Sequence, residues 1–167
     1  AADGPPSITK GAGGNLFVSA NFTSTVGGKV YKCTDGTGDS WSDATPGSWS
    51  SVAIDQIQLL PLLTGDDVIA IKAQTADNTI RYQIYDETTT DTWAGSWSSI
   101  ATLTENTTYD QWFSATIKKS TGDVYLTFAN ATNVTTNDIE FWRFDESDRG
   151  SGFVKGTNNV YDDTNTV

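Results

Sequence analysis

Alternation of polar and apolar residues predicts β-strands along the chain. In residues 79–85, Ile80, Tyr82 and Ile84 fall on one face of an extended strand and Gln83 falls on the other, because successive side chains of a strand point to opposite sides. No stretch repeats apolar residues at positions i, i+3, i+4 and i+7 over three turns, the pattern of an amphipathic helix. The sequence therefore predicts all-β structure.

Similar segments recur about fifty residues apart, a spacing typical of repeat proteins. Asn15, Asp67 and Asp123 take equivalent positions in three segments that each join a polar turn to an apolar run. Gly47 and Gly95 each begin a Gly-Ser-Trp-Ser-Ser motif, and the seven residues starting at each glycine agree at six positions. These matches predict three copies of one structural unit.

Each unit is predicted to form four antiparallel strands. The first three strands are predicted at residues 7–10, 16–22 and 29–33 in unit 1, at 56–63, 68–74 and 79–85 in unit 2, and at 111–119, 124–130 and 138–144 in unit 3. The fourth is expected at 47–53 in unit 1, at 95–101 in unit 2, and at 153–155 or near Val160 in unit 3. The units span approximately 5–54, 55–104 and 109–167 and together form a single repeat domain.

Four-stranded units of this period are typical of β-propellers, whereas leucine-rich, ankyrin and tetratricopeptide repeats are shorter and mostly contain helices. Propellers close with about four to eight blades, so three units predict a partial or half propeller. An unclosed stack leaves edge strands that pair readily with another chain. We therefore expect the partners to be other copies of this chain or further blades of a longer one. The absence of methionine likewise indicates a processed form or a piece of something longer.

The loops after the third strands resemble the Asp-box of sialidase-like (BNR-repeat) β-propellers, a turn in which an aspartate precedes an aromatic residue. The corresponding pairs are Asp35 and Trp41, Asp86 and Trp93, and Asp145 and Phe153. In that family the aspartate closes the turn and the aromatic ring packs between sheets. The resemblance therefore implies structural roles for these six residues.

The resemblance also bears on catalysis. Active sialidases bind the substrate carboxylate with three arginines and use a Tyr/Glu nucleophile pair with an aspartate acid/base. The arginines of this chain are Arg81, Arg143 and Arg149; no family motif flanks them, so no catalytic residue is carried over. A non-catalytic module for structure, adhesion or glycan recognition is favoured. The alternative is a segment of a sialidase-like glycoside hydrolase whose active site lies mostly outside this chain.

Two tryptophans are the candidate carbohydrate-binding residues. Flat aromatic rings suit sugar rings, and Trp49 and Trp97 lie beside short serine side chains, which favours their exposure. The opposing interpretation is that the tryptophans pack in the core, because they recur at fixed positions of the repeat. The six are Trp41, Trp49, Trp93, Trp97, Trp112 and Trp142.

Charge and residue usage exclude several classes of function. The formal net charge is −11, which disfavours nucleic acids and anionic membranes as partners, because both attract basic surfaces. Without histidine, Ser-His-Asp and Cys-His catalysis and His-ligated zinc are excluded within this chain. Cys33 is expected to be a small buried hydrophobe. No cofactor is predicted, although Asp35 and Asp39 are weak candidates for Ca²⁺, which prefers clustered oxygens.

Four Asn-x-Ser/Thr sequons make Asn21, Asn106, Asn130 and Asn133 candidate glycosylation sites. Of these, Asn130 and Asn133 are expected at an exposed turn between the second and third strands of unit 3. Dense polar residues, low cysteine and repeated sheets suit a durable exterior protein. The sequence thus predicts an extracellular or particle-surface location, of which a virion or filament component is one version.

Overall fold

The computed structural model describes residues 5–21, 27–35, 37–49, 54, 56–74, 78–103, 113–133 and 136–157. Within these ranges the regular structure is β-strand apart from two short 3₁₀ helices, Gly47–Trp49 and Glu146–Ser151. Neither helix is long and apolar enough to span a membrane. The prediction of all-β structure is confirmed.

Three antiparallel sheets follow one another along the chain. Unit 1 places β1 (Ser7–Lys10), β2 (Leu16–Asn21), β3 (Gly28–Cys33) and β4 (Trp41–Asp43) side by side in chain order. Unit 2 repeats this order with β5 (Gln56–Pro61), β6 (Val68–Gln74), β7 (Thr79–Asp86) and β8 (Thr92–Trp93), and β9 (Ser98–Thr102) also pairs with β7. Unit 3 contains β10 (Phe113–Ile117), β11 (Val124–Asn133), β12 (Thr136–Phe144) and β13 (Phe153–Lys155). These are the sheets of a β-propeller-like fold with three blades.

The units are equivalent down to single hydrogen bonds. In each unit, the amide that follows the first strand donates to the carbonyl that precedes the second. This bond joins Gly11 N to Asn15 O (2.9 Å), Leu62 N to Asp67 O (2.8 Å) and Lys118 N to Asp123 O (2.9 Å). The alignment of Asn15, Asp67 and Asp123 made from the sequence is therefore confirmed.

The predicted fourth strand of unit 1, residues 47–53, does not begin as a strand. The Gly-Ser-Trp motif at Gly47–Trp49 forms a 3₁₀ helix, in which Trp49 N donates to Pro46 O (2.9 Å), and residues 50–53 lie outside the described residues. The strand that pairs with β3 is Trp41–Asp43, whose first residue lies opposite the last residue of β3. In unit 2 the predicted fourth strand at 95–101 overlaps β9, which pairs with the first half of β7. The shorter β8 pairs with the last two residues of β7. The prediction at 153–155 in unit 3 is confirmed.

The aromatic residues at the ends of these loops are structurally equivalent. Each lies directly opposite the end of the third strand of its own unit. The paired positions are Trp41 and Cys33, Trp93 and Tyr85, and Phe153 and Phe144. The aromatic member of the predicted turn therefore lies in the fourth strand of every unit, as the first residue in units 1 and 3 and the second in unit 2.

The units bury their faces against one another in two hydrophobic clusters, and removal of this apolar surface from water stabilises the stack. Between units 1 and 2 lie Phe17, Val30, Trp49, Ile54, Ile57, Leu59, Val68, Ala70 and Tyr85. Between units 2 and 3 lie residues that include Leu62, Ile69, Ile71, Ile80, Val124, Leu126, Phe128, Phe144 and Phe153. Unit 2 therefore buries both faces, which explains why every residue of β6 is buried.

Candidate functional site

A pocket of about 610 Å³ opens between units 1 and 2. This volume falls in the range of sites that hold small molecules, roughly 300–1,000 Å³. Unit 1 contributes the end of β3, β4 and the loop that follows, whereas unit 2 contributes β7, β8 and the loops beside them. The lining residues with functional side chains are Lys32, Thr34, Ser42, Asp43, Thr45, Gln83, Tyr85, Asp91, Thr92, Trp93 and Ser96.

Trp93 forms the aromatic wall of the pocket. Its ring packs 5.8 Å from the Trp49 ring and edge-on to Tyr85, with 5.3 Å between ring centroids. Its indole Nε1 donates to the carbonyl of Ala44 in unit 1 (2.6 Å). The half-buried ring is thus held by both units, and it offers a rigid apolar surface at low cost in conformational entropy.

A charged pair crosses the pocket floor. Lys32 of unit 1 hydrogen-bonds Asp91 of unit 2, and the lysine is almost fully buried. The ammonium group also lies 5.3 Å from the centre of the Tyr85 ring, a distance at which a cation and an aromatic face attract. Tyr85 in turn donates to Asp91 Oδ1 (3.0 Å). The Asp91 carboxylate therefore collects two donors.

Gln83 supplies an acceptor with no partner. Its amide Nε2 donates to Gly95 O (2.8 Å), which fixes the side chain beneath the pocket. Its Oε1 is buried and accepts no hydrogen bond, and the residue is only 3% exposed. A buried acceptor left unpaired costs about 1–3 kcal/mol. Gln83 is one of the residues that line the pocket, and its Oε1 keeps an unused capacity to accept a hydrogen bond.

Two aspartates and one tyrosine of the pocket have shifted pKa values. The hydrogen bond from Lys32 lowers the pKa of Asp91, and hydrogen bonds from Thr45 and Lys29 lower the pKa of Asp43 to about 2. Burial, reinforced by Asp91, raises the pKa of Tyr85, so its phenol remains a donor. A general acid in this pocket would need a raised carboxyl pKa, and these two aspartates have the opposite shift. The arrangement is suited to binding.

The two tryptophans predicted as sugar platforms lie behind this pocket. Trp49 is fully buried in the cluster between units 1 and 2, so its ring presents no open face, contrary to expectation. Trp97 is half-buried; its ring packs 5.1 Å from Trp49, and Lys72 Nζ lies 4.6 Å from its centre. Trp112 lies outside the described residues. The ring that lines the pocket is Trp93, which the sequence assigned to a structural turn.

The predicted turn aspartates close their loops, although the first is displaced by one residue. Asp35 accepts from Thr37 N (2.9 Å), Asp86 from Thr89 N (2.8 Å) and Asp145 from Ser147 N (3.0 Å). Strand register makes Asp86 and Asp145 equivalent, since each directly follows the residue that pairs with the first residue of the second strand. Asp35 stands one position later. The equivalents of Asp35 in units 2 and 3 are Glu87 and Glu146.

The Ca²⁺ candidates form part of a turn. Asp35 accepts from Cys33 Sγ (2.7 Å) as well as from Thr37 N, and the thiol hydrogen bond is the first cause of its lowered pKa. Asp39 accepts from Thr37 Oγ1 (2.8 Å). In the part of the chain that the structure describes, no three carboxylate, thiol or imidazole side chains converge as metal ligands do. The donors around Asp35 belong to the loop itself.

The sequon asparagines occupy different environments. Asn21 is buried, and neither atom of its amide has a partner. Asn130 is also buried and donates to Glu140 Oε1 (3.1 Å), in contrast to the exposed turn expected from the sequence. Neither amide is accessible to a glycan in the folded chain. Asn133 lies at the end of β11, where its side chain is not described, and Asn106 lies outside the described residues.

The three arginines serve different parts of the fold. Arg149 donates to Asp67 Oδ2 (2.5 Å) and to Thr64 O (2.7 Å), which ties unit 3 to unit 2. Arg143 pairs with Asp123 (3.0 Å) on the outer side of unit 3, and Arg81 lies in β7 of unit 2 opposite Lys72. They do not converge on one ligand.

Comparison with known proteins places this architecture among solved folds. Neither a protein-family model nor a curated protein matches the sequence. The chain is similar to the structure of a triple arginine-to-alanine mutant of AofleA from Arthrobotrys oligospora, with 12% identity and a TM-score of 0.61 over 93% of this chain. It is also similar to a Hadza microbial sialidase, with 11% identity and a TM-score of 0.59 over 96% of this chain.

These likenesses concern the fold alone, because the sequence identities are low. The matched region spans 41% of the AofleA chain and 38% of the sialidase chain. A three-unit stack thus corresponds to less than half of either structure. In architecture, this chain is a three-bladed portion of a β-propeller-like fold.

Proposed function

We propose that this chain is a non-catalytic carbohydrate-binding module of β-propeller type, and that the pocket between units 1 and 2 binds a neutral sugar. The observation that carries the proposal is the unpaired acceptor Gln83 Oε1, buried beside the rigid ring of Trp93. A sugar presents C–H groups on one face and hydroxyl donors at its edge. Those two surfaces complement an aromatic wall and an orphan acceptor.

The charges of the pocket favour an uncharged ligand. Lys32 pairs with Asp91 and also lies 3.5 Å from Glu87 Oε1, and Asp43 is paired with Lys29 (2.9 Å). A carboxylate on the ligand would have to compete with Asp91 for the single lysine. Hydroxyl groups avoid this competition, because they can donate to Asp91 while Lys32 stays paired.

Two further observations support a carbohydrate role. One of the two similar structures is a sialidase, an enzyme that acts on glycans. The pocket also joins two blades, so ligand contacts from both would stabilise the interface. An extracellular or particle-surface location remains part of the proposal, supported by the acidic, threonine- and serine-rich composition.

A hydrolase segment is the less favoured alternative. The arginines that would have to hold a substrate carboxylate lie apart, with Arg149 bound to Asp67 and Arg143 bound to Asp123. The pocket carboxylates have lowered pKa values, which suits acceptors of hydrogen bonds better than proton donors.

Glycan-array screening followed by calorimetric titration tests the proposal. The unaltered chain should bind at least one neutral glycan, and Gln83→Leu should weaken that binding about tenfold, the value of one hydrogen bond of ~1.4 kcal/mol. Asp39→Asn is the matched control, because Asp39 lies on an exposed loop outside the pocket. Absence of binding to every neutral glycan, or equal binding by the Gln83 and Asp39 variants, would overturn the proposal.

A further inference from the structure

The exposed apolar side chains of the described residues concentrate on the two ends of the stack. Five large hydrophobic residues are exposed: Ile8 (68%), Trp41 (41%), Leu63 (46%), Ile139 (40%) and Val154 (57%). Ile8 and Trp41 lie on the face of unit 1 that points away from unit 2. Ile139 and Val154 lie on the face of unit 3 that points away from unit 2. We call these the unit 1 outer face and the unit 3 outer face.

The unit 3 outer face is structurally equivalent to the face of unit 1 that packs against unit 2. By strand register, Arg143 takes the place of Lys32, and Val154 takes the place of Ser42. The backbone agrees, since Ala44 N donates to Val30 O (2.9 Å) and Gly156 N donates to the equivalent Phe141 O (2.8 Å).

Half of an inter-unit pocket is also present on this face. A depression of about 390 Å³ is lined by residues that include Phe141, Arg143, Asp145, Val154, Lys155, Gly156 and Thr157. Most of these are the unit 3 equivalents of the residues that unit 1 gives to the pocket between units 1 and 2. The missing half is the part that a following unit would supply.

The unit 1 outer face carries the complementary half. Trp41 is the equivalent of Trp93, whose indole donates to Ala44 O of the preceding unit. Among the described residues, Trp41 Nε1 donates instead to Gly38 O (2.9 Å) within its own loop. The anchoring ring of the repeat is therefore present on this face, and in the described structure it is bonded only to its own loop.

An acidic side chain forms hydrogen bonds across the contact between units 2 and 3, and its equivalent in unit 1 bonds only within its own unit. Glu146 of unit 3 accepts from the amides of Leu63 (3.0 Å) and Thr64 (2.5 Å) in the first turn of unit 2. Asp35 holds the equivalent position in unit 1 and accepts only from groups in its own unit. In unit 3 the equivalents of Leu63 and Thr64 are Lys119 and Ser120, and both Lys119 and the preceding Lys118 are exposed. Opposite charges therefore face each other if unit 3 receives a unit 1.

We infer that two copies of this chain associate head to tail, with the unit 1 outer face of each copy seated on the unit 3 outer face of the other. The contact continues the packing that joins units 1, 2 and 3, and two such contacts close a ring of six units, within the usual range for propellers. The inference rests on the repeat geometry and is independent of the sugar site.

Sedimentation equilibrium of the 167-residue chain tests this directly. From micromolar to several hundred micromolar protein, the mass should approach twice the 18.0 kDa of the single chain. Trp41→Lys and Val154→Lys should each return the protein to the monomer, because a buried unpaired lysine opposes the contact. Both residues are exposed in the single chain, so the circular dichroism spectrum should be unchanged.

The control is Leu63→Lys, which changes an exposed apolar residue on neither outer face and should leave the dimer intact. Mixing the Trp41 and Val154 variants should restore partial association, because one of the two contacts in the mixed dimer is then unaltered. A monomer throughout the concentration range would overturn the inference and indicate that further blades of a longer chain fill these faces. A dimer that resists both variants would overturn it as well.

Discussion

The two inter-unit contacts of this molecule share one geometry and differ in how well they satisfy their polar groups. Every buried side-chain polar atom left without a partner in the described residues belongs to units 1 and 2: Ser19 Oγ, both amide atoms of Asn21, Trp49 Nε1, Gln83 Oε1, Glu87 Oε2 and Trp97 Nε1. The contact between units 2 and 3 is filled by branched and aromatic side chains. Both interfaces therefore bury apolar side chains, and among the described residues the unpaired polar atoms belong to units 1 and 2 alone.

The equivalent glutamates show the difference at a single position. In unit 3, the buried Glu146 receives two backbone amides of unit 2 and pairs with Arg149 (3.2 Å). A side chain at Gly122 would overlap this carboxylate, and φ is +79° there, so glycine is required twice over. In unit 2, Glu87 bonds Asn15 of unit 1, but its second oxygen has no partner. Glu146 therefore uses both carboxylate oxygens in the contact between units 2 and 3, whereas Glu87 leaves one oxygen without a partner in the contact between units 1 and 2. We call the hydrogen bonds of Glu146 to unit 2 the clasp between units.

The largest effect is expected in the apolar interface. Leu126 is fully buried between units 2 and 3, so Leu126→Ala should lower the free energy of unfolding by about 2–5 kcal/mol, through lost burial and a residual cavity. Leu63→Ala, at an exposed apolar residue that lies on neither outer face, should change it by less than about 1 kcal/mol. Urea unfolding of both variants measures the contrast, and equal losses would contradict the described packing.

The clasp of Glu146 should contribute more to the free energy of unfolding than the hydrogen bonds of the equivalent Asp35, which lie within an exposed turn of unit 1. Glu146→Gln preserves volume but replaces one of the two carboxylate oxygens, each of which accepts from a backbone N–H of unit 2, by an amide NH₂ group that can only donate. A loss of about 1–3 kcal/mol in unfolding free energy is expected. Asp35→Asn, the equivalent change at the exposed turn of unit 1, should cost about 1 kcal/mol or less. Equal losses of unfolding free energy in the two variants would contradict the clasp between units.

Low pH should lower the stability of the fold, because two carboxylates that line the pocket between units 1 and 2 lose their charge. Lys32 lowers the pKa of Asp91 relative to the unfolded chain, and the same direction holds for Asp43, at about 2. Their contributions are therefore complete above the ordinary value of 3.8 and are lost as the pH falls through the lowered values. Urea midpoints should agree at pH 7 and pH 5 and fall at pH 3. In Asp91→Asn the decline should be shallower, and a decline as steep as that of the unaltered chain would contradict the role of this pair.

The smallest effect on stability is expected at the proposed sugar site. Gln83→Leu removes the unpaired Oε1 as well as the bond to Gly95, and these two changes oppose each other. The free energy of unfolding should therefore stay within about 0.5 kcal/mol of the original. Thermal unfolding measures this change, and a loss of several kcal/mol would show that Gln83 has a structural role instead of a binding one.

Repetition made the architecture predictable from sequence. Asn15, Asp67 and Asp123 could be aligned because each unit needs the same hairpin, and the aromatic residues Trp93 and Phe153 were placed correctly at the loop ends. The start of the predicted fourth strand of unit 1 was wrong, because the Gly-Ser-Trp motif is similar in sequence in units 1 and 2 but forms a 3₁₀ helix in unit 1. Trp49 turns into the core, where the neighbouring unit supplies its contacts.

The site was less predictable, since it forms only where two units meet. The alternation around Gln83 correctly placed it opposite Ile80 and Ile84, yet nothing in that pattern indicates an unpaired oxygen. The contact between Lys32 and Asp91 joins residues of different units. A one-residue offset between Asp35 and Asp86 also hid the equivalence of Asp35 with Glu87 and Glu146. Strand register is the signal that reveals it, and register depends on the pairing of the folded chain.

The most direct test of the account is a backbone NMR titration of the chain with a neutral glycan selected on the array. The account predicts simultaneous shifts on both sides of the pocket, at residues 42–46 of unit 1 and 91–96 of unit 2, while residues 124–128 of unit 3 stay unchanged. Shifts confined to a single unit, or centred on the contact between units 2 and 3, would contradict a binding site built between units 1 and 2.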